Sequence, residues 1–250
     1  MLILALDTSS AAGSAAIVRD GGLVVERAGD GTRTHGERLP RELMALLQDA
    51  GATLADVDRF AVVTGPGSFT GLRVGIATIQ GLALARRKLV TPVSAFEASM
   101  RASDLGPRAS DLGPRTSDLG RRTSDLGAVW IDAHRGEVFA TLYDASGRTA
   151  IEPPTSLPPD ATLERWKPHV EPGARVRFIG DGALRYAEVI RARLGDRAVL
   201  PDGIPLLAGA AALIAAASPA RAVTPHAIVP IYVRRSDAEL ARDRARASAP

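Results

Sequence analysis

The sequence predicts an α/β fold, and three observations predict it. Elements alternate as βββαβαβ over roughly the first hundred residues, an order of strands crossed by helices. The opening pattern of apolar strand, aspartate, turn and strand recurs around Asp132, so the chain starts twice. With 250 residues, 46% of them hydrophobic, it can bury one sizeable core or two modest lobes.

The first lobe is expected over 1–100. Leu2 to Ser10 is an apolar run closing on Asp7-Thr8-Ser9, Gly13 to Val18 resumes strand character, and Leu23 to Glu26 makes a third strand. Thr34-x-x-Glu37 is a capping box announcing a helix with Leu39, Leu43, Leu46, Leu47 and Ala50 on one stripe, ending at Gly51. Met44 lies off that stripe and widens the apolar surface beyond what one domain needs. Arg59 to Thr64 is a buried strand running into Gly65-Pro66-Gly67 and the next helix. Leu89 to Ser94 is a strand in which Pro92 points to an end or an edge, and another helix starts at Ala95.

The helix after Gly67 is the stretch around which the chain is organised. Its glycines at 71, 75 and 81 each cost roughly 1 kcal/mol against alanine, so packing or binding must offset a few kcal/mol. Gly71/Gly75, Ala77/Gly81 and Gly81/Ala85 are spaced i,i+4 and let another backbone come close. That spacing fits packing on the lobe's own sheet as well as contact with a partner subunit. A strand, a Gly-rich turn and a helix N-terminus also suggest an anion cradle. The specific phosphate motifs are absent, since Thr70 and Leu72 stand five residues after Gly65 and Gly67 with no lysine nearby, and Thr70 stands where G-x-G-x-x-G needs glycine.

Residues 101–128 are four tandem heptads, beginning Arg101-Ala-Ser-Asp-Leu-Gly-Pro107. One leucine per heptad, a glycine in every copy and a proline in two exclude a coiled coil, and the stretch reads as a mobile, dispensable insertion. The second lobe is expected over 129–235. It holds the strands around Asp132, a proline-rich loop at 153–159, an amphipathic segment near Trp166, a strand from Val176 to Ile179 ending in Gly180-Asp181-Gly182, and a helix from Ala183 to Leu194. Ile204 to Ala217 reads as a buried helix that packs back on the first lobe, too short and proline-interrupted to cross a membrane. Ile228 to Tyr232 is strand-like, and 236–250 is a solvated charged tail.

Cysteine is absent, which excludes disulfides and thiolate metal sites, and no signal-like segment opens the chain, so a cytoplasmic location is expected. The pI of 9.8 accompanies a net charge of only +3, spread along the chain, which is a weak electrostatic footprint for nucleic acid. His35, His134, His169 and His226 are isolated, so no protein metal site is expected, and no serine sits in a nucleophile elbow. Asp7 and Asp132, in equivalent turns, are what a two-lobed nucleotide-binding enzyme uses to hold Mg²⁺ through water. Aspartate at a strand end is equally an ordinary turn residue.

Asp7-Thr8-Ser9, Gly65-Pro-Gly-Ser-Phe-Thr-Gly-Leu-Arg-Val-Gly-Ile76 with Gln80-Gly-Leu-Ala83, Ile131-Asp-Ala-His-Arg-Gly-Glu-Val138 and Pro230-Ile-Tyr-Val-Arg234 resemble the TsaB (YeaZ) family of bacterial proteins. The resemblance covers nearly the whole chain apart from the heptads. It implies an actin/Hsp70/sugar-kinase-like fold of two RNase H-like lobes with mixed sheets. It also implies a non-catalytic subunit supporting synthesis of N6-threonylcarbamoyladenosine at adenosine 37 of tRNAs reading codons that start with A. The implied partner is TsaD, joined by the ATPase TsaE, with TsaC supplying threonylcarbamoyl-adenylate and tRNA reached through the complex. No cofactor of its own is implied, although ATP or ADP can sit at the complex interface.

Family members pair through the first two helices, which makes Leu39, Leu43, Leu46, Leu47, Gly71, Gly75, Thr78, Ile79 and Leu82 the partner-binding candidates. A face meant for TsaD can also pair with itself, giving a homodimer of the isolated chain. Asp7, Thr8 and Asp132 are the residual nucleotide-site candidates. The alternative function is an active ATP-dependent kinase or ATPase of the same fold. Against it stand the turns Thr8-Ser9-Ser10-Ala11-Ala12 and Ala133-His134-Arg135, where active members carry Gly-rich phosphate turns.

Overall fold

The computed structural model describes residues 1–105 and 125–234. Its first sheet contains β1 (Leu2–Asp7), β2 (Ser14–Arg19), β3 (Gly22–Ala28), β4 (Arg59–Val63) and β5 (Val90–Val93), in the order β3-β2-β1-β4-β5. The second contains β6 (Leu126–Asp132), β7 (Val138–Tyr143), β8 (Ala150–Leu157), β9 (Val176–Ile179) and β10 (Ala198–Val199), in the order β10-β9-β6-β7-β8. Read in the opposite direction, the second order is the first again. In both sheets the first strand pairs antiparallel with the second and parallel with the fourth. The actin-like arrangement of two RNase H-like lobes is therefore present as a true internal duplication of topology.

In the first lobe α1 (His35–Asp49) and α2 (Phe69–Arg86) cover one face of the sheet. Glu37 reaches back to accept from the Thr34 N–H (3.0 Å) and hydroxyl (2.7 Å), as the capping pattern requires. Ser68 caps α2 by accepting from the Gly71 N–H (3.2 Å). The peptide between Gly65 and Pro66 is cis. Leu39, Leu43, Leu46 and Leu47 interdigitate with Leu4, Leu6, Ile17, Phe60 and Val62. Each such buried side chain contributes about 1.5–3 kcal/mol.

The opposite face of the first sheet is covered by α7 (Ala208–Ala217). Ala208, Ala212 and Ala215 lie on Ile3, Ala5, Ala16, Val18 and Ala61. Ala210, Ala211 and Ile214 join α3 (Ala95–Asp104) and β6 in a separate cluster. The helix is apolar all round because both sides are buried. Its first amides are satisfied by the first lobe: the Ser14 hydroxyl accepts from Leu207 (3.2 Å) and Ala208 (3.0 Å), and Glu26 from Gly209 (2.6 Å). The helix starts at Ala208 and not at Ile204, which stays outside it and exposed.

Several other boundaries differ from the sequence expectation. Pro153 and Pro154 belong to β8, not to a loop. β8 is an edge strand, and its register with β7 slips so that the two prolines fall in a bulge between Glu152 and Thr155, where no ladder N–H is needed. The helix expected over 183–194 is two: α5 (Asp181–Arg185) and α6 (Ala187–Leu194), separated by the non-helical dihedrals of Tyr186. They follow α4 (Pro159–Trp166), which contains the amphipathic segment.

Residues 228–232 form no ladder. They are held by single contacts, the Gln80 amide donating to Ile228 O (3.3 Å) and Ile231 N–H to Thr64 O (2.7 Å). The heptad stretch is structured at both flanks, with Ala102 in α3 and Ala128 in β6, both core residues. The reading of the repeats as a mobile insertion, over 106–124, and of the tail at 236–250 lies outside the described residues.

Candidate functional site

Two places deserve the name of a site, and α2 connects them. The first is the turn between β1 and β2. Asp7 ends β1 with its Oδ1 accepting from the Ser9 N–H (2.8 Å), and Asp132 ends β6 with its Oδ1 accepting from the His134 N–H (3.1 Å). The duplicated aspartates thus make the same local turn, which a short carboxylate favours because it imitates a backbone acceptor. Asp7 is buried; burial pushes its carboxyl up from the ordinary value, hydrogen bonds from Ser9 oppose this, and the charge on Asp181 adds to it.

Asp181, at the start of α5, accepts from the Asp132 N–H (2.9 Å) and the Gly182 N–H (2.9 Å). Burial nevertheless pushes it up as well. Asp132 is instead tied to Arg185 (3.1 Å) and lies 3.4 Å from His134. The carboxylate of the second lobe that Asp7 senses is therefore Asp181, which sequence reasoning passed over, although Gly180-Asp181-Gly182 at a strand end was a visible signal.

The turn itself is filled from within. Thr8 is fully buried, and a Cβ at Gly71 would fall on its carbonyl oxygen while one at Gly75 would fall on its hydroxyl. Gly67 stands in the same relation to Ser9, whose carbonyl accepts from the Ser68 N–H (2.7 Å). Gly71 and Gly75 are thus glycine because the lobe's own β1–β2 turn is pressed against α2.

From the other side Arg38, itself buried, donates to the carbonyls of Ala12 and Ala11 and pairs with Glu42. Its Nη2 also donates to His35 Nδ1 (2.7 Å), which leaves His35 Nε2–H to donate to Ser10 O (3.1 Å). Burial and the Arg38 charge hold His35 below its ordinary pKa, consistent with the neutral ring these contacts need. Three consecutive turn carbonyls are thereby fixed inward on cations and N–H groups. No feature of the sequence around Arg38 announced this role. Of the turn amides, those of Ser9 and Gly13 donate to Asp7 and the Ser10 hydroxyl, and those of His134 and Glu137 in the second turn to Asp132 and the His134 carbonyl, so none of these four is free for a bound anion.

The second place is the outer face of α1 and α2. Leu39, Leu43, Leu46, Leu47 and Ile79 are at most 4% exposed and belong to the lobe core, so a partner cannot reach them, which corrects their assignment to an interface. Gly71 and Gly75 face the turn. Thr78 and Leu82 are half-buried at the margin, with the Thr78 hydroxyl donating to Val74 O (2.8 Å). What the two helices present outward is Arg41, Met44 (58% exposed), Ala45 and Gln48 from α1, and Ala77, Gly81, Leu84 (49%) and Ala85 from α2. A Cβ at Gly81 would meet nothing within 4 Å. At the N-terminal end of α2, half-exposed Phe69 lies 5.4 Å from the Tyr232 ring, and Arg73 stacks 3.9 Å over Phe69 while donating to the Tyr232 hydroxyl (3.1 Å).

Among the described residues no helix is long and apolar enough to cross a membrane. A family model described as TsaD: tRNA N6-adenosine threonylcarbamoyltransferase matches residues 6–157. An uncharacterized protein of Mycobacterium tuberculosis is 32% identical over 239 residues, covering 95% of this chain and 93% of its own length. The tRNA threonylcarbamoyladenosine biosynthesis protein TsaB of Bacillus subtilis is 27% identical over 241 residues, 96% of each chain. Among solved structures, YeaZ from Pseudomonas aeruginosa superposes with a TM-score of 0.70 at 26% identity, covering 92% of this chain and 99% of that one.

Proposed function

This chain belongs to the TsaB (YeaZ) family, and on that premise we propose that it is a non-catalytic scaffold for tRNA threonylcarbamoyladenosine biosynthesis, pairing with TsaD through the outer face of α1 and α2. The observation that carries the reading is that face. Met44 and Leu84 stand exposed beside Ala45, Ala77, Gly81 and Ala85, small residues that let a second helix pair approach closer than the usual ~8–10 Å axis separation. The β1–β2 turn supports the same reading, because its Ser9 and Gly13 amides, donors that a kinase or ATPase would offer to phosphate, donate to Asp7 and to the Ser10 hydroxyl instead.

In the complex, TsaE joins the pair, ATP or ADP is taken up at the shared interface, and tRNAs reading codons that start with A are engaged by the assembly. Alone, the chain covers the same face with a second copy of itself. The test is co-purification with the cognate TsaD followed by native mass measurement. A one-to-one complex is expected. A chain that stays apart from TsaD at micromolar concentration, or that hydrolyses ATP robustly by itself, would overturn the scaffold.

A further inference from the structure

A cavity of about 160 Å³ opens in the second lobe between α4, β9 and α6, on the outer side of the sheet and away from both places described above. Its wall is apolar, made by Leu163, Trp166, Val170, Val176, Phe178 and Leu194. The volume is close to that of an engineered apolar cavity that holds benzene. The polar part of the lining is cationic on balance: Lys167, Arg193 and Arg197 against Glu164. Lys167 pairs with Glu164 (3.3 Å) and Arg193 with Asp160 (2.8 Å), whereas Arg197, half-buried, pairs with no carboxylate among the described residues. Trp166 is 1% exposed, and its indole N–H has no hydrogen-bond partner among the described residues, a cost a folded interior rarely leaves standing.

The geometry points to a binding site in this cavity for a small organic monocarboxylate with one benzene-sized apolar group, the carboxylate resting on Arg197. An apolar space of one ring's volume excludes larger ligands. The unpaired guanidinium at its edge selects an anion over a neutral molecule of the same shape, because a charge-assisted contact is roughly twice as strong as a neutral one. Phosphorylated ligands are disfavoured, since two of the three cations are already neutralised. For a ligand of about ten non-hydrogen atoms the affinity is expected on the order of 0.1 mM. The inference concerns a site separate from the TsaD-facing helices and stands whether or not the chain pairs with TsaD.

The chain carries its own reporter. It has two tryptophans, Trp166 in the cavity wall and Trp130 edge-on to it at 5.9 Å, so occupancy should change intrinsic fluorescence. The experiment titrates the intact protein with 3-phenylpropionate, its neutral amide and acetate, by fluorescence and by calorimetry. Saturable binding of the acid, at least about tenfold tighter than the amide and with acetate inert, is expected. Arg197→Gln, a substitution at a half-buried position on the rim, should remove that preference and leave the amide's affinity unchanged. Val170→Trp should fill the cavity and abolish binding of both, with its melting curve checking that it folds. Equal affinity for acid and amide, an unchanged preference in Arg197→Gln, or no saturable response to the acid in the wild-type protein would each overturn the proposal.

Discussion

Gly75 and Thr8 touch across the first lobe: the Thr8 hydroxyl occupies the place where a side chain at position 75 would begin. The interior of α2 and the β1–β2 turn are therefore one packed unit. Gly75→Ala forces that turn outward or bends α2, and overpacking of this kind costs roughly 1–3 kcal/mol, only partly offset by about 1 kcal/mol of helix propensity. We expect a net loss of stability, larger for Gly75→Leu, measured as a lower urea midpoint with unchanged slope. A midpoint at or above wild type would show that the turn yields freely.

Gly81 behaves oppositely because nothing lies within reach of its missing Cβ. Gly81→Leu should keep or raise stability by up to about 1 kcal/mol, since an exposed helix interior gains from losing glycine. The same variant should bind TsaD at least tenfold more weakly, because the added side chain stands on the face that has to approach a partner helix. Paired measurements of melting temperature and of association by calorimetry check both halves.

Arg38→Ala leaves the Ala11 and Ala12 carbonyls without their donor and Glu42 without its cation. A loss of roughly 2–3 kcal/mol is expected by denaturant titration, since an unpartnered buried acceptor keeps its full desolvation penalty. Arg38→Lys should recover little of it, because one ammonium cannot serve the turn carbonyls, His35 and Glu42 in the directions the guanidinium does.

Asp7 and Asp181 predict a pH dependence of a definite sign. Both carboxyls are pushed up by burial from an ordinary value of 3.8. A carboxyl whose folded pKa lies above its unfolded one binds its proton more tightly in the folded chain. Its stabilising contribution is complete below 3.8 and is lost as pH rises through the raised value, so ionised Asp7 is a burden at neutral pH. Asp7→Asn keeps an oxygen to accept from Ser9 and should be more stable than wild type at pH 7, with the difference shrinking as pH falls toward 4. Urea midpoints of both proteins between pH 4 and 8 test this; a variant less stable at pH 7 would show that the charge is used by the fold.

Much of this molecule was legible along the chain because its signals are local. The Thr34–Glu37 cap, the leucine stripe from Leu39 to Leu47 and the repeated strand–aspartate–turn each depend on residues within a few positions of one another, and each element appears where those residues stand. The direction in which an element faces is not local. Spacing could not say whether Gly71, Gly75 and Gly81 serve the lobe or a partner; the structure divides them, two facing Thr8 and one facing solvent, because only the path of the β1–β2 turn settles which side of α2 is occupied. In the same way Leu39 to Leu47 had to be core once the sheet lay beneath them, which left Met44 to face outward. Pro153 and Pro154 could join a strand only because β8 is at an edge and bulges there. Asp181, far from Asp7 in sequence, came to share its electrostatic environment because the tertiary fold sets the start of α5 in the second lobe near the end of β1 in the first. Residue types and their periods thus determined the elements, and the motifs from Asp7 to Arg234 carried the resemblance to the family. Burial, and the long-range pairing of groups that must not be buried alone, decided which of those residues remain available for function.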